Sequence, residues 1–422
     1  MANFKSKWHQ DVIHGAKTAH AQGVFANTHR TRIMGLSCRT ALILGLVSAC
    51  AMTGCTGEPT PEMTSTTPVS KPYIPTYPDA STKLVPYDGV VENLFFHPVV
   101  AYPELAFNGN SQTKGIDDYM VTVSEFDKML QSMYDKNYIL VNWNDVWSEY
   151  TNSDGVQRMK RNTLQLPEGK KPIVINFDDV NYYQYMLETG FTYKLIIGDD
   201  GDIWSWGLDP QGKEVISQDL DAITILDKFV AQHPDFSMYG VKGCINLTGY
   251  QGILGYRTQT DKNNMSVEFE ANRQKEIAAV KPVIARLKET GWYFASHTFG
   301  HINLAKSSLS AIQADCTRWQ REVGSLVGPT DIFVYPYGAR LDGDDVTKAG
   351  PELKYVQSLG FRIFASVGES SFSKIKTAID AVICDRMHAD GTTLRYFRKA
   401  YLKFYDAKLV FDPSRPNYGN KW

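Results

Sequence analysis

Two adjacent carboxylates, Asp178 and Asp179, directly follow the apolar run Ile173-Val174-Ile175-Asn176-Phe177, and two imidazoles, His297 and His301, directly follow Tyr293-Phe294-Ala295-Ser296. Histidines four residues apart can meet on one side of a helical turn and take one divalent metal as neutral ligands, with a carboxylate completing a facial set of three. Such a set leaves positions open for water and substrate, as a catalytic site requires. A strand alone would point Asp178 and Asp179 to opposite sides, but where a strand gives way to a loop both can turn the same way. A third fragment, Ile332-Phe333-Val334-Tyr335, leads into Pro336-Tyr337-Gly338, where a proline-fixed turn can present a backbone N–H. Each fragment has an ordinary alternative: an Asp pair can cap a helix, and a His pair at this spacing is often incidental. Their joint placement at the ends of different apolar runs favours the chemical reading.

The elements that must hold these residues alternate. Strand-like runs are expected at 90–96, 138–141, 173–177, 241–247, 293–296, 332–335, 363–367 and 381–383, with helical periodicity at 267–289, 308–326 and 351–359. A further helix is expected to begin near Ser124, with Asp127 in the capping-box position and Phe126, Met129, Leu130 and Met133 on one face. Strands alternating with helices imply parallel pairing through crossovers, hence an α/β barrel or open sheet, with the chemistry at the C-terminal ends of the strands. One block, about 180–240, interrupts the alternation with Tyr182, Tyr183, Tyr185, a hairpin turning at Asp199-Asp200-Gly201-Asp202, and Trp204 with Trp206 on one strand face. The acids of that turn lack the spacing of a calcium loop and read as turn chemistry. The tryptophans suit packing onto the body at least as well as sugar stacking.

Composition excludes several classes. Of 422 residues, 43% are hydrophobic, too many for a disordered chain, and a formal charge of -2 offers no basic footprint for nucleic acid. Six cysteines, none in a CxxC pair, form neither a disulfide framework nor a zinc knot. Residues 1–39 are polar and basic; the apolar run from Thr40 to Ala49 is too short for a stable membrane span, and it leads through Met52-Thr53-Gly54 to Cys55. This resembles a bacterial lipoprotein signal peptide. Val47-Ser48-Ala49-Cys50 also fits the lipidation pattern, but Cys55 leaves the fuller apolar region, and a start at Met34 would give a compact basic end. The resemblance implies a signal region over 1–54, a Thr/Pro/Ser-rich tether over 55–86, and a lipid anchor on Cys55 at the extracytoplasmic face of the cell membrane. Without 1–54 the chain holds 38 Lys plus Arg and 45 Asp plus Glu, a formal -7 that suits a neutral glycan better than an anionic polymer.

Taken in order, Phe177-Asp178-Asp179, Ser296-His297-Thr298-Phe299-Gly300-His301 and Tyr335-Pro336-Tyr337-Gly338 resemble the motif blocks of the polysaccharide deacetylases, carbohydrate esterase family four. Phe95-Phe96-His97-Pro98-Val99 resembles a Tyr-His strand of one branch. The resemblance implies a distorted (β/α) barrel of the polysaccharide deacetylase type over 87–422, with an insertion at about 180–240. It implies a divalent metal, most often zinc, on Asp179, His297 and His301, with Asp178 as general base and the backbone N–H of Tyr337 sharing the oxyanion charge. His388 falls where the family often has Leu-x-His, with Arg386 in place of the Leu; His97 is the competing general acid. The Arg that many members carry shortly before the third block is absent from 329–334. The implied activity is removal of N-acetyl groups from an N-acetylglucosamine-containing polysaccharide of the envelope or matrix. Alternatives are an O-acetyl esterase acting on xylan or another acetylated glycan, and a glycan-binding lipoprotein without turnover. No protein partner is indicated.

Overall fold

The computed structural model describes residues 73–417, so Met34, Cys50, Cys55, the 1–54 region and most of the tether lie outside the described residues. Among the described residues no helix is long and apolar enough to cross a membrane. Seven parallel strands form the centre: β1 (Glu92–Phe96), β2 (Lys171–Asp178), β3 (Cys244–Leu247), β4 (Tyr293–Ser296), β5 (Ile332–Val334), β6 (Ile363–Val367) and β7 (Ala381–His388). They pair in the order β3-β4-β5-β6-β7-β1-β2, and β2 pairs back onto β3, which closes a barrel. Tyr138–Leu140 adds to the start of β2, and Phe372–Lys376 runs antiparallel along β7. Helices α1 (Val123–Asp135), α2 (Ala222–Gln232), α3 (Val267–Glu289), α4 (Leu309–Trp319), α5 (Pro351–Ser358) and α6 (Gly391–Tyr396) flank it.

The period of two sorts the strand residues. Ile173, Ile175 and Phe177 of β2 and Ile383 and Met387 of β7 join the large core shared with the helices. Val174, Ala295, Val334, Ala365, Val382 and Cys384 join a second cluster with Trp143, Trp147 and Met159. That second cluster is capped by the hairpin Trp147–Thr151 and Gln157–Arg161, tied down where β6 and β7 begin by Arg362 to Glu149 (2.5 Å) and Arg158 to Asp380 (3.2 Å). The N-terminal end of the barrel is thus closed with apolar side chains, and the C-terminal end is left to polar groups.

Three details differ from expectation for physical reasons. Helix α1 begins next to Ser124 as expected, but its cap is Thr122 and the box is closed by Glu125 rather than Asp127: Thr122 Oγ1 accepts from Glu125 N (3.2 Å), and Glu125 Oε2 accepts from Thr122 N (2.9 Å). Strand β7 runs to His388, five residues past Ile383, although Asp385 and Arg386 break its apolar run. The helical pattern at 308–326 passes from α4 into a π-helical turn, Gln320–Gly324. The inserted block forms a three-stranded antiparallel sheet, Thr192–Ile197, Ile203–Leu208 and Glu214–Ser217, before α2. Asp200 accepts from Asp202 N and from the Trp204 indole, both at 3.0 Å, and Trp206 packs edge-on to Tyr193. Cys244, Cys316 and Cys384 are free and buried.

The C-terminal segment closes over α1 through a buried guanidinium. Arg415 donates to both oxygens of Glu125 (2.6 Å each), to Asp117 Oδ1 (3.0 Å) and to the carbonyls of Asp117 (2.8 Å) and Met120 (2.6 Å). Removing one partner of such a cluster strands the buried carboxylates. Arg415→Ala is therefore predicted to cost about 3–5 kcal/mol in urea denaturation; a loss below about 1 kcal/mol would show that the cluster contributes little.

Candidate active site

The mouth is built at the C-terminal strand ends by backbone that leaves the strand abruptly. Asp178, the last residue of β2, keeps the inward direction of Val174 and Asn176. Asp179 then takes a left-handed φ of 61°, its N–H bonded to Asn246 O of β3 (3.1 Å), so the second carboxylate reaches the same mouth. His297 follows β4 directly; its Nδ1 donates to Val334 O (3.0 Å), which leaves Nε2 with a free lone pair. His301 also adopts a left-handed φ, 52°, in a loop pinned by Asp315 of α4, which accepts from Phe299 N and Gly300 N at 2.7 Å each.

One ligand atom each from Asp179, His297 and His301 lies within 4.8 Å of the others, and His301 Nε2 is 3.9 Å from Asp179 Oδ2. Burial pushes the His301 imidazole down to about 4 despite the opposing pull of Asp179, so it is a neutral donor at neutral pH. Two imidazoles and a carboxylate, one imidazole fixed through its other nitrogen by a carbonyl, fit a divalent cation such as zinc.

Asp178 is held apart from that cluster. Arg386 of β7 grips it with both arms, Nη1 to Oδ1 (2.6 Å) and Nη2 to Oδ2 (2.9 Å), and Asn246 Nδ2 adds a third bond to Oδ1 (2.6 Å). Arg386 is wholly buried, its guanidinium 4.3 Å from the Phe95 ring centroid. Burial alone would raise the Asp178 carboxyl, but Arg386, with His297 behind it, holds it well below the usual carboxylate range. Oδ2 takes only the one Arg386 bond and lies 3.9 Å from His297 Nε2.

The other candidates surround this pair. His97 follows β1, and the register that sets Phe95 opposite Asn176 places it level with Asp178. Its Nδ1 donates to Tyr119 O (3.1 Å), so Nε2 is the nitrogen left to face the mouth. His388 pairs with Phe95 one pleat deeper, and its Nδ1 lies 2.6 Å from Asp390 Oδ2. The Phe95 ring is near both histidines, 5.7 Å from His97 and 6.2 Å from His388. Tyr337 has a left-handed φ of 59° in the turn Pro336–Gly338, and its ring packs 4.5 Å from that of His301.

Sequence reasoning missed Arg386, Asn246, Asp315 and Tyr183. Arg386 was visible only as a departure from Leu-x-His, and the arginine sought at 329–334 is supplied instead by this strand. Its signal was the spacing: two residues before His388, on an alternating strand, it must share the inward face. Asn246 lies inside an apolar run and carried the same kind of signal. Asp315 had no local signal, because it acts on the His301 loop from α4; Tyr183 lies only four residues past Asp179, but an aromatic run in a loop does not say which group its hydroxyl meets.

A closed parallel barrel with a ligand triad and a separately held carboxylate at its C-terminal mouth has the layout of a hydrolase. Residues 260–362 match the family model described as polysaccharide deacetylase, a stretch that includes His297, His301 and Tyr337. That stretch is similar to a polysaccharide deacetylase domain. No curated protein matches the chain. Among solved structures it is similar to Streptococcus pyogenes deacetylase PplD in complex with acetate, at 14% identity and a TM-score of 0.41 over 73% of this chain and 95% of that one. It is similar also to a polysaccharide deacetylase from Bacillus cereus, at 13% identity and a TM-score of 0.40 over 72% and 66%.

Replacing Arg386 by Met is predicted to let burial dominate at Asp178. Its carboxyl then rises, and the acid limb of kcat/KM for acetate release moves up by about 1–3 pH units. An unmoved acid limb would mean that Arg386 does not set the protonation of this carboxylate.

Proposed function

We propose that the chain is a metal-dependent hydrolase that removes N-acetyl groups from an N-acetylglucosamine-containing polysaccharide of the envelope or matrix and releases acetate. The observation that carries this reading is the pairing, at one mouth, of a metal-fitting triad with a carboxylate kept anionic by Arg386. Bound by Asp179, His297 and His301, a divalent metal, zinc in the first instance, would polarise the acyl carbonyl and acidify water. Asp178 Oδ2 takes the proton of the attacking water; Arg386 and Asn246 hold it unprotonated and aimed. The Tyr337 N–H takes part of the oxyanion charge, a role worth roughly 3–4 kcal/mol where it has been measured for such donors.

An amide nitrogen cannot leave as an anion, so an acid must serve it. We assign this to His97 acting as the imidazolium, its Nδ1–H kept on Tyr119 O and its Nε2–H given to the leaving nitrogen; it is level with Asp178 and is left as the neutral imidazole once the amine departs. His388, tied to Asp390 and paired with Phe95 one pleat below His97, is the less favoured candidate. Anchoring through Cys55 at the extracytoplasmic face of the cell membrane is part of the proposal and rests on the sequence alone; it would place the enzyme beside such a polymer.

Substituting Asp179, His297 or His301 by Ala is predicted to remove metal, measured by elemental analysis, together with acetate release. Asp178→Asn keeps the metal and loses about 10²–10⁴ in rate. Full turnover by Asp178→Asn would refute the base assignment. His97→Ala is predicted to fall by a similar factor on an N-acetylglucosamine oligomer but far less on an acetyl ester with a good leaving group, with His388→Ala the milder variant on both. The reverse ranking would transfer the acid role to His388. Faster release from acetylated xylan than from the N-acetylglucosamine oligomer would favour an O-acetyl esterase.

A further inference from the structure

The block inserted after β2 reaches the ligand set itself. Tyr183 Oη lies 2.5 Å from Asp179 Oδ1 and 2.9 Å from Thr248 Oγ1, a residue just past β3. A carboxylate only accepts, so the tyrosine hydroxyl donates to Asp179 and its own lone pair accepts from the threonine. The tyrosine is fixed on all sides: its ring is buried and stacks on Tyr250 at 5.0 Å and 20°. Its loop is fastened to the one after β3 by Asn181, whose Nδ2 donates to Thr248 O (2.9 Å) and to Gly252 O, and whose Oδ1 accepts from Thr248 N (3.2 Å).

The two oxygens of Asp179 are therefore divided. Oδ1 is taken by Tyr183, while Oδ2 is the oxygen 3.9 Å from His301 Nε2. A carboxylate with both oxygens unrestrained can chelate a cation through the pair and fill an extra coordination position; one with an O–H fixed on Oδ1 presents a single oxygen. We propose that Tyr183 is a positioning residue for the metal centre, holding Asp179 as a one-oxygen ligand and keeping positions open for water and the acyl oxygen. This rests on the reading that Asp179, His297 and His301 bind a metal. It makes the insertion a part of the ligand chemistry, through a Thr248 to Tyr183 to Asp179 relay.

The test measures Zn²⁺ affinity of the purified chain by competition with a chromophoric chelator, and the visible spectrum of the Co²⁺-loaded protein. Tyr183→Phe deletes one oxygen and keeps the ring stack. It is expected to bind Zn²⁺ roughly 10–100-fold more weakly than wild type. Its Co²⁺ bands should weaken, as they do when coordination number rises, while the melting temperature of the metal-free protein stays near wild type. Thr248→Val should shift affinity in the same direction by less, and decides the matter if Tyr183→Phe does not fold. Wild-type affinity with an unaltered Co²⁺ spectrum in both variants overturns this inference alone. A wild-type chain that binds no stoichiometric metal overturns the reading beneath it as well.

Discussion

The barrel is organised around one buried ion pair, Asp178 with Arg386. A lone carboxylate in such a place would protonate or destabilise the fold, since removing an ion from water costs several kcal/mol after relaxation. Here β7 brings a guanidinium across the barrel, two parallel N–H bonds match the carboxylate plane, and Asn246 adds a third. The pair also explains the polar layer beneath it. Asn176 Nδ2 donates to Asn93 Oδ1 at 2.7 Å, so strands β1, β2 and β3 each place an asparagine inward where a pure core would place an aliphatic residue. Apolar filling at the closed end gives way to polar groups only within reach of the mouth.

Around that pair the strand ends converge by local reversals. Asp179, His301 and Tyr337 all have left-handed φ, a conformation that costs energy for residues with a Cβ and persists where neighbours over-determine it. The neighbours are identifiable. Asn246 O holds the Asp179 amide, Asp315 holds the loop before His301, and Val334 O orients His297. Asn181 then joins the first loop to the one after β3. Removing the inserted block would therefore unravel the ligand loop and not merely trim an appendage.

Much of this was legible in the sequence. Strands 293–296 and 363–367 coincide with their expected bounds, because each short run ends at a histidine or glycine that breaks it, and helix 267–289 does so because Ser266 caps its start and Gly291 follows its end. The motif residues sit at strand ends, as parallel alternation requires. What failed has two causes. The cap of α1 was a local choice between two adjacent candidates, Thr122 with Glu125 and Ser124 with Asp127, whereas the end of β7 and the role of Arg386 depend on a charged group distant in sequence, Asp178 standing opposite Arg386. A charge inside an apolar strand reads as the end of the strand until its partner is known. The strand pattern alone left barrel and open sheet undecided, since pairing of β2 with β3 as well as β1 leaves no mark on either strand, and the expected barrel rested on the motif resemblance; the structure has that barrel.

The central claim is that Asp179, His297 and His301 hold one cation while Asp178 stays with Arg386. Anomalous scattering at the zinc edge from crystals of the zinc-loaded protein tests it most directly. The account predicts a single strong peak about 2.0–2.2 Å from Asp179 Oδ2 and from an Nε2 of each histidine, with Asp178 still bound to both arms of Arg386. No peak at that position, or a peak bonded to Asp178 with the guanidinium displaced, would contradict it.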